Sequence, residues 1–305
     1  MSSDSPPTKR QRTRDEDAVM KQSAFWFIDG SVVLQAENTQ FRVHFGVLAR
    51  HSTIFRDMQG LPQPSDEPTV DGCPVVKLQD DPMDVEYLLE SLYDSHSQEK
   101  KLQIPALGAL IRLGRKLPLN TPQRLRNTMC LADTFDTIEE YDGIDFDMVT
   151  LLSENNILSA MPCACYRAVN LSTLVELFDG KPESHGTRPS LSQTDLRRCA
   201  IGQQRLARKL FQPGYTLGWA RKWEFHDCTS PVTCRASREN IWTSHMEDSE
   251  VYVFLVPRYF LGRYNFCAAC TLHATESMTV GRNKIWQELP EIFDLPPWNE
   301  LRNNL

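Results

Sequence analysis

The stretch FRVHFGVLARHSTIFRDM, residues 41–58, decides the fold because its apolar residues change period. At its beginning, apolar Phe41 and Val43 alternate with polar neighbours, which is typical of a strand with one buried face. After His44, the apolar residues recur at the spacing of one helical face, at Phe45, Leu48, Phe55 and Met58. The stretch therefore predicts a strand that leads directly into helix.

The flanking sequence extends this pattern. Val32 and Leu34 alternate in the same way as the strand, and Glu37-Asn38 lies between the two runs as a turn, so the sequence predicts a β-hairpin. A Pro-rich loop follows the helix, and Val75, Val76 and Leu78 then predict a short strand. Asp81 then precedes Pro82, a typical N-cap and first helical position. Hairpin, helix, strand and successive helices together predict an α+β fold in which helices cover a small sheet.

The order and spacing of these residues resemble the BTB/POZ signature. That signature has a strand ending in His, a helix with Val-Leu, a Ser four residues later and a Phe three further on. Here these positions are His44, Val47, Leu48, Ser52 and Phe55. Asp29–Leu34 resembles the family's first strand and Leu88–Tyr93 a later helix, so the resemblance covers residues 24–130. It implies a BTB/POZ fold and a protein–protein interaction module without catalytic activity, acting as an adaptor or scaffold.

Two departures from the family bear on the partner. Many members carry an Asp before the Val of the first strand and a basic residue after the His, which line a charged peptide-binding pocket; this chain has Ser31 and Phe45 there. Cullin adaptors often carry an apolar residue two positions before a Glu in the loop after the second helix. The loop Ser65-Asp66-Glu67-Pro68 lacks it. A substrate adaptor of a cullin-type ubiquitin ligase is therefore the alternative rather than the favoured function, and His44 is expected to be structural.

The remainder of the chain is predicted to be mostly α-helical, as a helical extension over 131–180 and a C-terminal region over 181–305. Apolar residues mark one helix at Leu171, Leu174, Val175 and Phe178. Ser192 and Asp195 form a cap for another helix. The ending, residues 285–290 and 295–298, is similar to BTB-domain proteins of basidiomycete fungi and implies no established chemistry.

Four cysteines in the second half are candidate metal ligands. Cys228 and Cys234 form one pair, and Cys267 and Cys270 form a CxxC, while His226 and His273 are additional candidates. Two close pairs can supply the four ligands of a zinc site. The favoured alternative is that these cysteines are small buried residues, scattered or merely packed, and that no cofactor binds. A redox role for the CxxC lacks a thioredoxin-like context, and no phosphate-binding loop, HExxH or GxSxG motif indicates an enzyme.

The composition of the chain bears on nucleic-acid binding, membrane insertion and cellular compartment. The net charge of −7 argues against nucleic-acid binding, and no apolar run approaches the roughly 20 residues of a membrane span. The nine cysteines are expected to be free thiols or metal ligands in a reducing compartment, nucleus or cytoplasm.

Residues 1–23 are expected to be a disordered tail. Their basic cluster is a candidate nuclear import signal, at Lys9, Arg10, Arg12 and Arg14. A solvated tail balanced by nearby acidic residues is the alternative. A nuclear regulator with a zinc-binding C-terminal module is a further hypothesis for the whole chain.

Overall fold

The structure is a computed structural model that describes residues 19–58, 68–93, 101–116, 138–182, 188–221, 225–247 and 251–302. The candidate import signal and residues 65–67 of the acidic loop lie outside the described residues. The chain divides into two compact units, residues 1–97 with 113–119, and residues 98–112 with 120–305.

A mixed sheet forms the centre of the first unit. Its described strands are β1 (Lys21–Trp26), β2 (Val32–Ala36), β3 (Thr39–Val43), β4 (Thr69–Val70) and β5 (Cys73–Leu78). They lie in the order β1-β3-β2-β5-β4. β2 and β3 are antiparallel, with Leu34 opposite Phe41, which confirms the predicted hairpin. Glu37 in its turn has the positive φ of 46° that such a tight connection demands.

The boundary of the predicted tail was wrong, because β1 already begins at Lys21. β1 pairs with β3 in parallel, with Lys21 opposite Thr39. This strand at the edge of the sheet is held by backbone hydrogen bonds and does not need alternating apolar residues, so the sequence pattern does not reveal it.

The described helices that pack on the sheet of the first unit are α1 (Phe45–His51), α2 (Thr53–Met58) and α3 (Pro82–Tyr93). The strands and helices share one core, formed by Val32, Leu34, Ala36, Phe41, Val43, Leu48, Phe55, Val85 and Leu89. The predicted cap is present, since the backbone N–H of Met83 donates to Asp81 Oδ1 at 2.8 Å. Met83, in the first turn of α3, is apolar but 62% exposed. The buried apolar residues of α3 are instead Val85, Leu88 and Leu89.

The second unit is helical, as predicted. Its described helices are α4 (Ile104–Lys116, of which residues 104–112 belong to this unit), α5 (Ile144–Glu154), α6 (Met161–Asn170), α7 (Leu174–Asp179), α8 (Gln193–Leu210), α9 (Pro231–Glu247), α10 (Pro257–Leu261) and α11 (Ala268–Ile292). Ser192 caps α8 by accepting from the backbone N–H of Asp195 at 3.1 Å, as the sequence predicted. No described helix is long and apolar enough to cross a membrane.

One continuous core joins the segments 131–180 and 181–305. Buried Cys165 of α6, Leu206 of α8 and Ile285 of α11 all belong to it. Leu177 is the buried residue of the short helix α7. The other apolar residues of this helix face outward, with exposed fractions of 52% for Leu174, 67% for Val175 and 60% for Phe178. The apolar residues that mark α7 in the sequence therefore form a surface rather than a core.

One buried ion pair of this unit joins α5 to α6. The Arg167 side chain donates to Asp145 Oδ1 at 2.8 Å, and Asp145 lies in the first turn of α5, as does Asp147. Burial raises the pKa of Asp145 even though Arg167 acts in the opposite direction. The Asp145 side chain is only 14% exposed, so this first-turn carboxylate lies inside the unit rather than on a solvated face.

Candidate functional site

The four cysteines of the second half converge. The Sγ atoms of Cys228, Cys234, Cys267 and Cys270 all lie within 4.8 Å of one another. Cys228 precedes α9 and Cys234 lies in its first turn, while Cys267 is the N-cap of α11 and Cys270 lies in its first turn. The expectation that the four cysteines are scattered was therefore wrong, whereas the expectation that they pack together without a metal stays a prediction.

The sulfur separations fit metal coordination better than a disulfide. Cys228 Sγ and Cys267 Sγ are 3.9 Å apart. A disulfide joins its sulfurs at about 2.05 Å. A regular tetrahedron with zinc–sulfur bonds of about 2.3 Å has sulfur–sulfur edges of about 3.8 Å. This pair already has the spacing of two ligands on one ion.

Backbone hydrogen bonds stabilise the thiolate form of the cysteines in this group. The backbone N–H of Cys267 donates to Cys234 Sγ at 3.2 Å. The backbone amides of Cys270 and Thr229 lower the pKa of the Cys267 thiol to about 5, because they stabilise its thiolate. Cys267 also lies at the positive end of the α11 dipole, which acts in the same direction.

Cys234 and Cys270 lie in a more buried environment than Cys228 and Cys267. Cys234 and Cys270 are fully buried, at 0% exposure. Burial, together with the neighbouring sulfurs, raises the pKa of both thiols in the metal-free protein. A cation at the centre of the four sulfurs would offset this cost, because it stabilises every thiolate that it contacts.

The two histidine candidates do not join the sulfurs. His226 is 92% exposed. His273 Nε2 lies 3.0 Å from Asp227 Oδ1, and its ring stacks on Phe225 with centroids 4.7 Å apart. The His273 interaction lowers the pKa of Asp227. His273 therefore contacts Asp227, the residue before Cys228, rather than the sulfurs. The group that converges consists of four sulfur ligands and no nitrogen ligand.

Four thiolates around one point can hold a soft metal ion and leave no position open for substrate or water. Such an arrangement stabilises structure rather than performing hydrolysis. The spacing of the cysteines was enough to predict these four residues as candidate ligands. No feature of the sequence indicated that the Thr229 backbone would hydrogen-bond to Cys267.

The remaining described cysteines divide between free and bonded. Cys73, Cys165 and Cys199 are free and buried. The hydrogen bond between Cys165 and Cys199 raises the pKa of Cys165 together with burial. Cys163 is disulfide-bonded, which contradicts the expectation that the cysteines are free thiols or metal ligands.

In the first unit, His44 is bound on several sides. Its Nε2 lies 3.2 Å from Asp29 Oδ2 and its Nδ1 lies 3.1 Å from the Tyr93 hydroxyl, which also accepts from the His44 backbone N–H at 2.8 Å. The ring packs on Phe27, with centroids 5.3 Å apart. These contacts are those of a structural histidine that joins β3 to α3.

The two positions that depart from the family pattern touch each other. The backbone N–H of Phe45 donates to Ser31 Oγ at 3.0 Å. A neutral hydroxyl and a phenyl ring thus stand where many members carry a charged pair, so the charged pocket is missing at these two residues.

Comparison with known families agrees with this unit. No curated protein matches the chain. The family model described as "BTB/POZ domain" matches residues 27–130, which include the hairpin, α1 to α3 and the His44 contacts. The family is one of non-catalytic protein–protein interaction modules. Residues 27–130 of this chain are therefore a BTB/POZ domain.

Proposed function

We propose that this protein is a non-enzymatic adaptor or scaffold that binds another protein through its BTB/POZ domain. The observation that carries the proposal is the family match over residues 27–130, because the domain is an interaction module. The absence of a catalytic motif in the rest of the sequence is consistent with an adaptor.

The surface of the domain offers apolar contacts to a partner. Ile28 is 88% exposed, Met83 62% and Ile54 48%. Exposed large apolar side chains gain free energy when a partner removes them from water, and a few such residues carry most of the affinity of an interface. Because the charged pair is replaced by Ser31 and Phe45, we expect recognition to depend on apolar contacts more than on a charged peptide.

The experiment combines partner identification with surface variants of the full chain. Proximity labelling in the native cell identifies the partner, and pull-down then compares wild-type protein with Ile28→Lys, Ile54→Lys and Met83→Lys. We expect at least one variant to lose binding by about tenfold or more, the effect of about 1.4 kcal/mol at an interface, with unchanged melting temperature.

Phe178→Lys is the matched control, since Phe178 is 60% exposed in the second unit. Loss of binding in Phe178→Lys alone, or in none of the four variants, would contradict binding through the BTB/POZ domain.

The more specific roles are separate proposals with their own tests. Pull-down with a cullin N-terminal domain tests the ubiquitin-ligase adaptor, which the acidic loop Ser65-Asp66-Glu67-Pro68 disfavours. Nuclear localisation is tested by imaging a tagged chain whose four basic tail residues are replaced by Ala. A nuclear regulator that touches nucleic acid would shift DNA in a gel, against the net charge of −7. Similarity to basidiomycete proteins stays a prediction.

A further inference from the structure

We propose that Cys228, Cys234, Cys267 and Cys270 bind one zinc ion in a closed, tetrahedral, all-sulfur site that joins the start of α9 to the start of α11. This site belongs to the second unit and is independent of the partner bound by the BTB/POZ domain. Its role is to stabilise the fold of the second unit.

The distances require little movement. The longest separation within the group is no more than 4.8 Å, and the Cys228–Cys267 pair is at 3.9 Å. Contraction to the roughly 3.8 Å edge of a zinc–sulfur tetrahedron asks for sulfur shifts of at most about 1 Å, which rotation about the side-chain χ1 bond provides. The backbone positions can therefore stay as they are.

The surroundings suit a negatively charged metal complex. Zinc with four thiolates carries a net charge of about −2. The site lies at the N-termini of two helices, α9 with 17 residues and α11 with 25, and both dipoles direct positive charge toward it. Arg238 lies one helical turn after Cys234 on α9 and is only 4% exposed, and its Nη1 has no hydrogen-bond partner within the described part of the chain. Its charge has the sign that would offset that of the zinc–thiolate complex.

The site also connects segments that are distant in sequence. Residues 235–266 separate the two cysteine pairs. The chain enters Cys267 from Phe266, whose ring packs edge-on against buried Trp219 with centroids 5.5 Å apart. The packing of Phe266 on Trp219 thus helps to position Cys267 and Cys270. Bonds from all four sulfurs to one metal ion would hold this pair against Cys228 and Cys234. Because the metal binds the folded arrangement, its binding free energy adds to folding stability.

A redox CxxC is the main rival. The Cys267 position at a helix N-terminus and its lowered thiol pKa also occur in disulfide oxidoreductases. A redox pair needs two sulfurs, however, and here Cys228 and Cys234 complete a group of four, two of them fully buried. The four-fold convergence favours the metal.

The test measures metal in the purified full chain. Elemental analysis after gel filtration, without added metal, should give about one zinc per chain. Cobalt(II) added alone to chelator-treated protein should give the strong visible bands and sulfur-to-cobalt charge transfer of a tetrahedral thiolate site. Chelator treatment should lower the melting temperature of the second unit, and added zinc should restore it.

Variants assign the metal to the four sulfurs. Cys267→Ser/Cys270→Ser should hold less than about a tenth of the wild-type zinc, as should Cys228→Ser, which alters a half-buried position and preserves more of the packing. Cys73→Ser is the matched control, because this free buried cysteine lies in the first unit and its Sγ donates to the Gly30 carbonyl at 3.1 Å, a bond that Ser can retain. It should keep full zinc content.

Several outcomes would overturn the proposal. Purified wild-type protein that lacks metal, that contains iron instead of zinc, or that gives the weak spectrum of octahedral cobalt would each do so. Full zinc content in the Cys267→Ser/Cys270→Ser protein would place the ion elsewhere. A Cys267–Cys270 disulfide that forms and is reduced reversibly in zinc-free wild-type protein would support the redox rival.

Discussion

A methyl group added at Gly281 should loosen the second unit. Gly281 lies in the middle of α11, the helix that begins at the cysteine site, and it faces the backbone of residues 215 and 216. A Cβ there would lie 2.3 Å from the Thr216 backbone nitrogen and 2.3 Å from the Tyr215 carbonyl carbon. Non-bonded atoms normally stay at about 3.5 Å or more, so Gly281→Ala requires a backbone shift of about 1 Å.

The opposing backbone cannot easily retreat. Thr216 is 0% exposed, and its Oγ1 donates to the Val253 carbonyl at 2.7 Å. Overpacking costs about 1–3 kcal/mol, and because rigid backbone must move, we take the upper end, about 3 kcal/mol. Ala is about 1 kcal/mol better than Gly inside a helix, which leaves a net loss of about 2 kcal/mol. For a unit of 150–250 residues this lowers the melting temperature by about 4–8 °C.

Differential scanning calorimetry of the full chain measures the effect. Gly46→Ala is the control, because Gly46 lies in helix α1 with no atom within 4 Å of an added Cβ. That variant should keep or slightly raise the melting temperature, by the helix preference of Ala of up to about 1 kcal/mol. A Gly281→Ala protein that melts at or above the wild-type temperature would refute the close approach of α11 to residues 215 and 216.

Three further predictions concern the other parts of the chain. Leu48→Ala should cost the first unit about 2–5 kcal/mol in urea titration, because Leu48 is only 2% exposed; a loss under about 0.5 kcal/mol would show that it is not buried. Light scattering on the full chain should find a monomer or weak dimer, because the chain is not helical at Val19 and Met20, the described residues directly before β1, and so offers no dimerising helix there; a tight dimer at nanomolar concentration would contradict this. The backbone N–H of Thr173 donates to Glu176 and lowers the pKa of that carboxyl, so its stabilising effect is present above the unfolded-state pKa of about 4.3 and is lost as pH falls through the lowered value. Glu176→Gln should therefore reduce stability near neutral pH and have little effect in strong acid; equal melting temperatures at neutral pH would disprove the contribution of this cap.

Local patterns in the sequence were sufficient for much of the first unit. The hairpin at residues 32–43, the strand-to-helix change at His44 and the cap at Asp81 all depend on residues close together in the chain. The periods of apolar residues and the preferences of capping residues act at that range, so no tertiary contact is needed to predict them.

Burial required the folded chain. Met83 and Val85 are equally plausible as inner residues of α3, yet Met83 is exposed and Val85 is buried. Val175 and Phe178 mark a helix by their spacing but lie on its outside, while the polar segment at Lys21 forms a strand. Apolar character favours burial without saying which face meets a neighbour, and that depends on the neighbour's position.

For the cysteine site, too, one part could be predicted from the sequence and another depended on the tertiary structure. The sequence by itself determined which four residues are suited to a soft metal, because thiolate is the ligand and Cys228, Cys234, Cys267 and Cys270 form two close pairs. Only the tertiary structure decided that the pairs meet within 4.8 Å. Long-range packing, such as that of Phe266 on Trp219, positions the second pair, and the spacing within each pair carries no information about such contacts.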